Sequence, residues 1–192
     1  MYHEWWGLND YIQKEVETYY KDFDGAVNVM AIDLYDGKVA ATPEDAGKLM
    51  QSIQEARAKA IIAGALKFVG EKARIASVGW CFGGGWSLKS ALLEGKQAAG
   101  CVVYYGMPVE NEAELATLNC DVLGIFANND KWITMDVVSQ FAQKMAHAGK
   151  NLALEHYDAD HAFANPSNPK HDKVKAQQAH AHAVAYLKKS LL

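Results

Sequence analysis

Short apolar runs punctuate the chain at residues 27–32, 75–78, 99–105, 122–127 and 152–157. Each is four to seven residues long, the length of a strand buried on both faces. Between them the apolar positions fall at helical spacing instead. Tyr11, Ile12, Val16, Tyr19 and Tyr20 predict a helix over 10–22, with Asn9 as its cap. Thr42-Pro43-Glu44-Asp45 is a helix start with a cap residue, a proline in the first turn and two acids, and predicts a helix to about Phe68, stopped by Gly70. Further helices are predicted from Trp86 to near Gly95, over the acidic segment 110–118, over 134–148 with Val137, Val138, Phe141 and Met145 on one face, and over 171–190. No Asn-Gly or similar turn joins two apolar runs as a hairpin. The alternation therefore predicts an α/β fold, a mostly parallel sheet with helices on both faces. No repeat, low-complexity tract or linker interrupts it, so one domain over 1–192 is expected.

The densest pattern lies at 75–90. The strand 75–78 runs into Gly79-Trp80-Cys81-Phe82-Gly83, a G-x-nucleophile-x-G spacing with cysteine at the centre. A nucleophile on a sharp strand-to-helix turn sits in strained backbone, and the flanking positions must then lack a Cβ. The turn also aims a helix N-terminus at the sulfur, which favours thiolate. The alternative is a small buried hydrophobic cysteine among glycines. Neither a G-x-G-x-x-G nor a phosphate-binding Gly-Lys-Ser/Thr is present.

In a parallel sheet the loops after the strands share one edge, where ligands bind. Asp130 follows the strand at 122–127, and His161 follows the strand at 152–157. The order Cys81, Asp130, His161 is nucleophile, acid, histidine. The histidine can take the thiol proton and return it to a leaving group, and the aspartate can fix its tautomer. Separately, Asp130 could merely start a turn and His161 could be a solvated loop residue. Glu4 is a fourth candidate, reaching the same edge through the loop that begins at His3; its alternative is a solvated terminus. An oxyanion would be held by the backbone N–H of Phe82 and, by position, of Trp5.

Composition narrows the partners. The net charge of −4 leaves no basic footprint for nucleic acid. No apolar stretch nears the roughly 20 residues of a membrane span, and no signal peptide is visible at the start. Three cysteines, with no C-x-x-C pair, fit reduced thiols and a cytoplasmic location. Cys101 and Cys120 read as structural.

Taken together, His-Glu-Trp-Trp-Gly-Leu-Asn at 3–9, Asp-Leu-Tyr at 33–35, Gly-Trp-Cys-Phe-Gly-Gly at 79–84, Asp130 and Asp-His-Ala-Phe at 160–163 resemble the dienelactone hydrolase family across nearly the whole chain. The resemblance implies an α/β-hydrolase fold, a triad of Cys81, Asp130 and His161, and no cofactor. It implies that Glu4 contacts the resting thiol and helps to activate it, and that a lactone opens through an acyl-thioester cleaved by water. Two departures stand out. Family members carry strands ahead of the His-Glu motif, where this sequence begins, so an N-terminally shortened sheet is expected. Family members that act on dienelactone grip its carboxylate with arginines, one of them four residues after the histidine. Here that position is Asn165, and the only arginines, Arg57 and Arg74, stand at no matching place. Asn165 thus reads as substrate-facing, and Lys38 is a possible positive charge near the site, its alternative a solvated loop lysine.

Trp6, Trp80, Trp86 and Trp132 surround the elbow and triad in sequence, as pocket wall or as core; Trp132 reads as pocket. His171, His180 and His182 could suggest a metal tract, but the H-x-H spacing points the last two to different helix faces, and His180 reads as a half-buried histidine with its bonds satisfied. The expected function is hydrolysis of a small ester or lactone. The alternatives are a non-catalytic binding module on the same fold, or a redox-responsive thiol protein, for which no resolving cysteine lies near Cys81.

Overall fold

The computed structural model describes residues 1–192. Its sheet consists of β1 (Ile75–Trp80), β2 (Ala98–Tyr104), β3 (Val122–Ala127) and β4 (Leu152–Tyr157), side by side in chain order. All three pairings are parallel; Val78 lies opposite Val102, Cys101 opposite Val122 and Phe126 opposite His156. The strand period of two divides the side chains between two cores. Val78, Trp80, Val102, Tyr104, Leu123 and Ile125 face one way, toward α1 (Asp10–Asp22) and α7 (Lys173–Leu191). Cys101, Val103, Val122 and Phe126 face the other way, toward α4 (Phe82–Glu94), α5 (Glu112–Leu115) and α6 (Met135–His147). Both faces are therefore covered, as the alternation predicts. No helix is long and apolar enough to cross a membrane.

Two expectations are corrected. Residues 27–32 form no strand; Ile32 alone makes a bridge, to Tyr2, which in turn bridges to Gly79. The reason is the neighbour. Tyr2 lies between this segment and β1 and pairs with it at one position, with Ile32 donating to the Met1 carbonyl at 2.9 Å and Tyr2 to that of Val78 at 2.8 Å. Val27, Val29 and Ala31 are hydrophobic because they pack against the core.

The long helix expected over 42–68 is two helices, α2 (Pro43–Ser52) and α3 (Glu55–Val69). Ile53 and Gln54 adopt extended backbone between them. No glycine or proline marks this break, and the apolar spacing runs on through it, so periodicity alone does not show it. The start behaves as expected: the Thr42 hydroxyl accepts from the Asp45 N–H, with Pro43 in the first turn.

Candidate active site

Everything at the strand ends is arranged around a sharp turn. Cys81 has φ 55° and ψ −118°, a conformation that L-residues rarely adopt. Its N–H donates to the Tyr104 carbonyl at 3.0 Å, and its own carbonyl accepts from Gly84 at 3.0 Å. The glycines around it have no room for a side chain. A Cβ on Gly79 would run into the Gly83 carbonyl, and one on Gly83 into the carbonyls of Tyr2 and His3. The start of α4 is thus seated directly on the backbone of residues 2–3. Tyr105 and Ala162, which also line the cleft, have positive φ as well, at 36° and 60°.

The Cys81 sulfur lies 3.1 Å from His161 Nε2, and His161 Nδ1 lies 2.5 Å from Asp130 Oδ2. Asp130 Oδ1 accepts the backbone N–H groups of Trp132, at 2.8 Å, and Ile133, at 3.0 Å. The carboxylate is buried, which by itself favours the neutral form; the His161 bond and the two N–H groups outweigh that and hold Asp130 below its ordinary value. Burial likewise works against a charged His161, but the bonds to Asp130 and Cys81 raise it to about 10. The raised value favours the imidazolium, with Nδ1–H donated to Asp130 and Nε2 placed to hold the proton that the thiol gives up.

Glu4 does reach this edge, but not the thiol. It is 3% exposed, and its two oxygens accept from the Asn165 amide and, at 3.5 Å, from the Tyr105 hydroxyl. Desolvation raises its carboxyl to about 7, against the lowering pull of Asn165 and His161. Asn165 is accordingly not substrate-facing: it is 2% exposed, lies behind the cleft wall, and fixes Glu4. Lys38 is exposed on the turn after Asp36-Gly37 and does not line the cleft.

Two residues that hold the Glu4 loop have roles that the sequence does not show. Tyr105 reads there only as the last residue of an apolar run, yet its ring also packs 5.1 Å from that of His161. His3 is fully buried, and desolvation lowers its pKa against the raising pull of the Glu4 carbonyl and Asp33. Its Nδ1–H donates to the Glu4 carbonyl at 2.6 Å, and its Nε2 accepts the Leu34 N–H at 3.1 Å. It pins the Asp33-Leu34-Tyr35 turn to the loop that carries Glu4.

The Trp5 N–H has no acceptor within the protein, and Phe82 is the first residue of α4, where an N–H lacks a helical partner. Trp5, Phe82 and Cys81 all line one cleft of about 1290 Å³, which His161 and Trp132 also line. Of the other tryptophans, Trp80 is core against Tyr104, whereas Trp6 and Trp86 contribute to the cleft. His180 is bonded to Asp22 at 2.6 Å and His182 to the Tyr157 hydroxyl at 3.0 Å. Cys101 is buried, and its thiol is pushed up to about 12 by desolvation.

A carboxyl raised by burial makes a definite pH signature. The folded state holds a proton on Glu4 up to about pH 7, whereas the unfolded chain loses it near 4.5. Folding therefore binds a proton between those values, and stability attributable to this group falls as pH rises through them. Glu4→Gln removes the effect. The variant is expected to gain about 2–4 kcal/mol on the parent between pH 4.5 and pH 7 and to hold that gain at higher pH. Urea unfolding of both proteins across that range checks it; a constant difference would mean that Glu4 is ionised at its ordinary pH.

The profile of the dienelactone hydrolase family matches residues 1–191. The chain is 29% identical over 199 residues to "Protein usf" of Aquifex pyrophilus, covering 98% of this chain and 86% of that one. It is 32% identical over 116 residues to a carboxymethylenebutenolidase of a Pseudomonas species, covering 60% of this chain and 48% of that one. Among solved structures, a dienelactone hydrolase-like promiscuous phosphotriesterase from metagenomic libraries superposes with a TM-score of 0.82 at 17% identity, over 100% of this chain and 85% of that one. An esterase superposes with a TM-score of 0.68 at 17% identity, over 99% and 90% of the two chains. The fold is that of the α/β-hydrolases.

Proposed function

The chain belongs to the dienelactone hydrolase family, and from that premise we propose that it hydrolyses a small ester or lactone through a thiol nucleophile, Cys81, served by His161 and Asp130. The carrying observation is the continuous relay of Sγ to Nε2 at 3.1 Å and Nδ1 to carboxylate at 2.5 Å. His161 Nε2 holds the proton taken from the thiol while sulfur attacks the acyl carbon. The carbonyl oxygen becomes an oxyanion, for which the N–H groups of Phe82 and Trp5 are the candidate donors. The C–O bond to the alcohol then breaks, and His161 returns the proton to the departing oxygen, leaving a thioester on Cys81. Water attacks that thioester while His161 takes its proton. The acid leaves, and the proton passes back to sulfur. Asp130 stays ionised throughout and stabilises the imidazolium.

Glu4 acts in this scheme by fixing Asn165 and Tyr105 beside His161 rather than by touching the resting thiol. The scheme calls for no cofactor, for a small-molecule partner alone, and for one domain working in the cytoplasm.

Alkylation tests the nucleophile. Iodoacetamide is added in steps, hydrolysis of 4-nitrophenyl acetate is followed, and peptide masses report which cysteine is modified. Activity is expected to fall in proportion to carbamidomethylation of Cys81, while Cys101 stays unmodified in its buried site. Full activity with Cys81 fully blocked would overturn the proposal, and no hydrolysis by the folded, unmodified protein would favour a binding role for the fold. Oxidation of Cys81 without any turnover would favour the redox reading.

A further inference from the structure

We propose that the cleft selects neutral esters whose alcohol portion is apolar or aromatic, and that Trp132 is the residue that recognises that portion. The inference rests on the thiol-hydrolase reading and deepens it. In that chemistry the departing oxygen must lie within hydrogen-bond reach, about 3 Å, of His161 Nε2. The acyl oxygen points the other way, toward the N–H groups of Trp5 and Phe82. The alcohol portion therefore occupies the His161 side of the cleft.

Trp132 stands on that side. Its ring lies 5.2 Å from that of His161, edge to face at 70°. Its backbone N–H donates to Asp130, the same carboxylate that orients His161, so its main chain and the relay are fixed by one group. Yet the residue is 68% exposed, a broad aromatic surface that no protein group covers. Such a face offers stacking and apolar contact to a ring bound beside the relay. Met107, 51% exposed and also lining the cleft, supplies a flexible thioether surface that adapts to varied apolar shapes.

The charges exclude an anionic alcohol. Both arginines are engaged outside the cleft, Arg57 with Asp36 and Arg74 with the Ser190 carbonyl. Carboxylates lining the cleft outnumber lysines five to three. Two of those lysines already face carboxylates, Lys89 on Glu55 and Lys170 on Asp160. Lys131 alone has no carboxylate partner, and it is exposed to solvent, where its attraction is screened. The cleft volume of about 1290 Å³ also exceeds what a compact lactone needs.

Three butyrate esters test this, with ethyl, benzyl and 4-carboxybenzyl alcohols. All pass through the same butyryl-enzyme, so kcat/KM differences report the acylation step, where the alcohol is still present. Benzyl butyrate is expected to exceed both others by about tenfold, and Trp132→Ala to remove most of the benzyl-over-ethyl preference, with Trp132→Phe restoring much of it. Melting curves confirm that both variants are folded. An unchanged benzyl-to-ethyl ratio in Trp132→Ala would overturn the role of Trp132. A 4-carboxybenzyl ester equal to or better than the benzyl ester would overturn the exclusion of anions. Absence of Cys81-dependent turnover of all three esters by the folded parent is a separate result, which sinks the thiol-hydrolase reading and this inference with it.

Discussion

Replacing Cys81 by alanine is expected to lower ester hydrolysis by at least about 10⁴-fold, since the thiol relay acts as a unit and leaves only binding and the oxyanion donors behind. Replacing it by glycine is expected to be equally inactive but more stable than the alanine variant. The argument is conformational. At φ 55° and ψ −118° any side chain costs energy that glycine does not, of order 1–3 kcal/mol. Glycine's greater freedom in the unfolded chain offsets roughly 0.5–1 kcal/mol of that. The glycine variant should therefore melt higher than the alanine variant, in both of which the sulfur contact to His161 is lost. Thermal unfolding of the two, beside nitrophenol release, decides both halves. Substantial turnover in Cys81→Ala would remove the nucleophile from the scheme. A glycine variant that melts below the alanine variant would mean that the turn stores no strain.

The second large effect falls on folding. Gly79→Ala places a methyl group against the Gly83 carbonyl, and neither partner is a mobile side chain that could swing away. The turn must open, and the seat of α4 on residues 2–3 shifts with it. The expected loss is about 3–5 kcal/mol, at the upper end for single substitutions and a large share of a typical domain's stability. Activity should fall with it, because Cys81 rides on the same turn. Urea unfolding, with its slope compared between the two proteins, measures the loss. By contrast Gly64→Ala, in α3, meets nothing within 4 Å and should be neutral or slightly stabilising. A Gly79 variant within about 1 kcal/mol of the parent would show that the turn relaxes easily.

Much of this site is legible in the sequence, for reasons that can be named. The elbow is local: its glycines, nucleophile and helix start lie within a few consecutive residues, so their constraints appear as spacing. Asp130 and His161 were placed by topology, since parallel strands deliver every following loop to one edge. Asn165 and Lys38 were misplaced because neither argument reaches them. Asn165 lies only four residues beyond His161, but the chain there turns through Ala162 at positive φ and carries it behind the cleft wall. Lys38 is near in sequence to the Asp33-Leu34-Tyr35 turn, and only the turn itself sends its side chain to solvent. The break at Ile53 and Gln54 was invisible because apolar periodicity records which side is buried, not whether the axis is continuous. The roles of His3 and Tyr105 do not show because a buried polar group with satisfied bonds leaves no pattern of its own.

That break separates two kinds of position. The relay hangs from the ends of β1, β3 and β4, where a substitution disturbs sheet, turn and chemistry at once. Met50 and Ile53, which line the cleft at the end of α2 and at the break, belong to no strand and donate nothing to the relay. Met50 is 39% exposed, and Ile53 packs against the cluster of Tyr2 and Trp86 rather than against Cys81, His161 or Asp130. Inheritance can therefore hold the reaction constant while the wall drifts, and relatives on this scaffold should diverge in what they accept well before they diverge in how they cleave it.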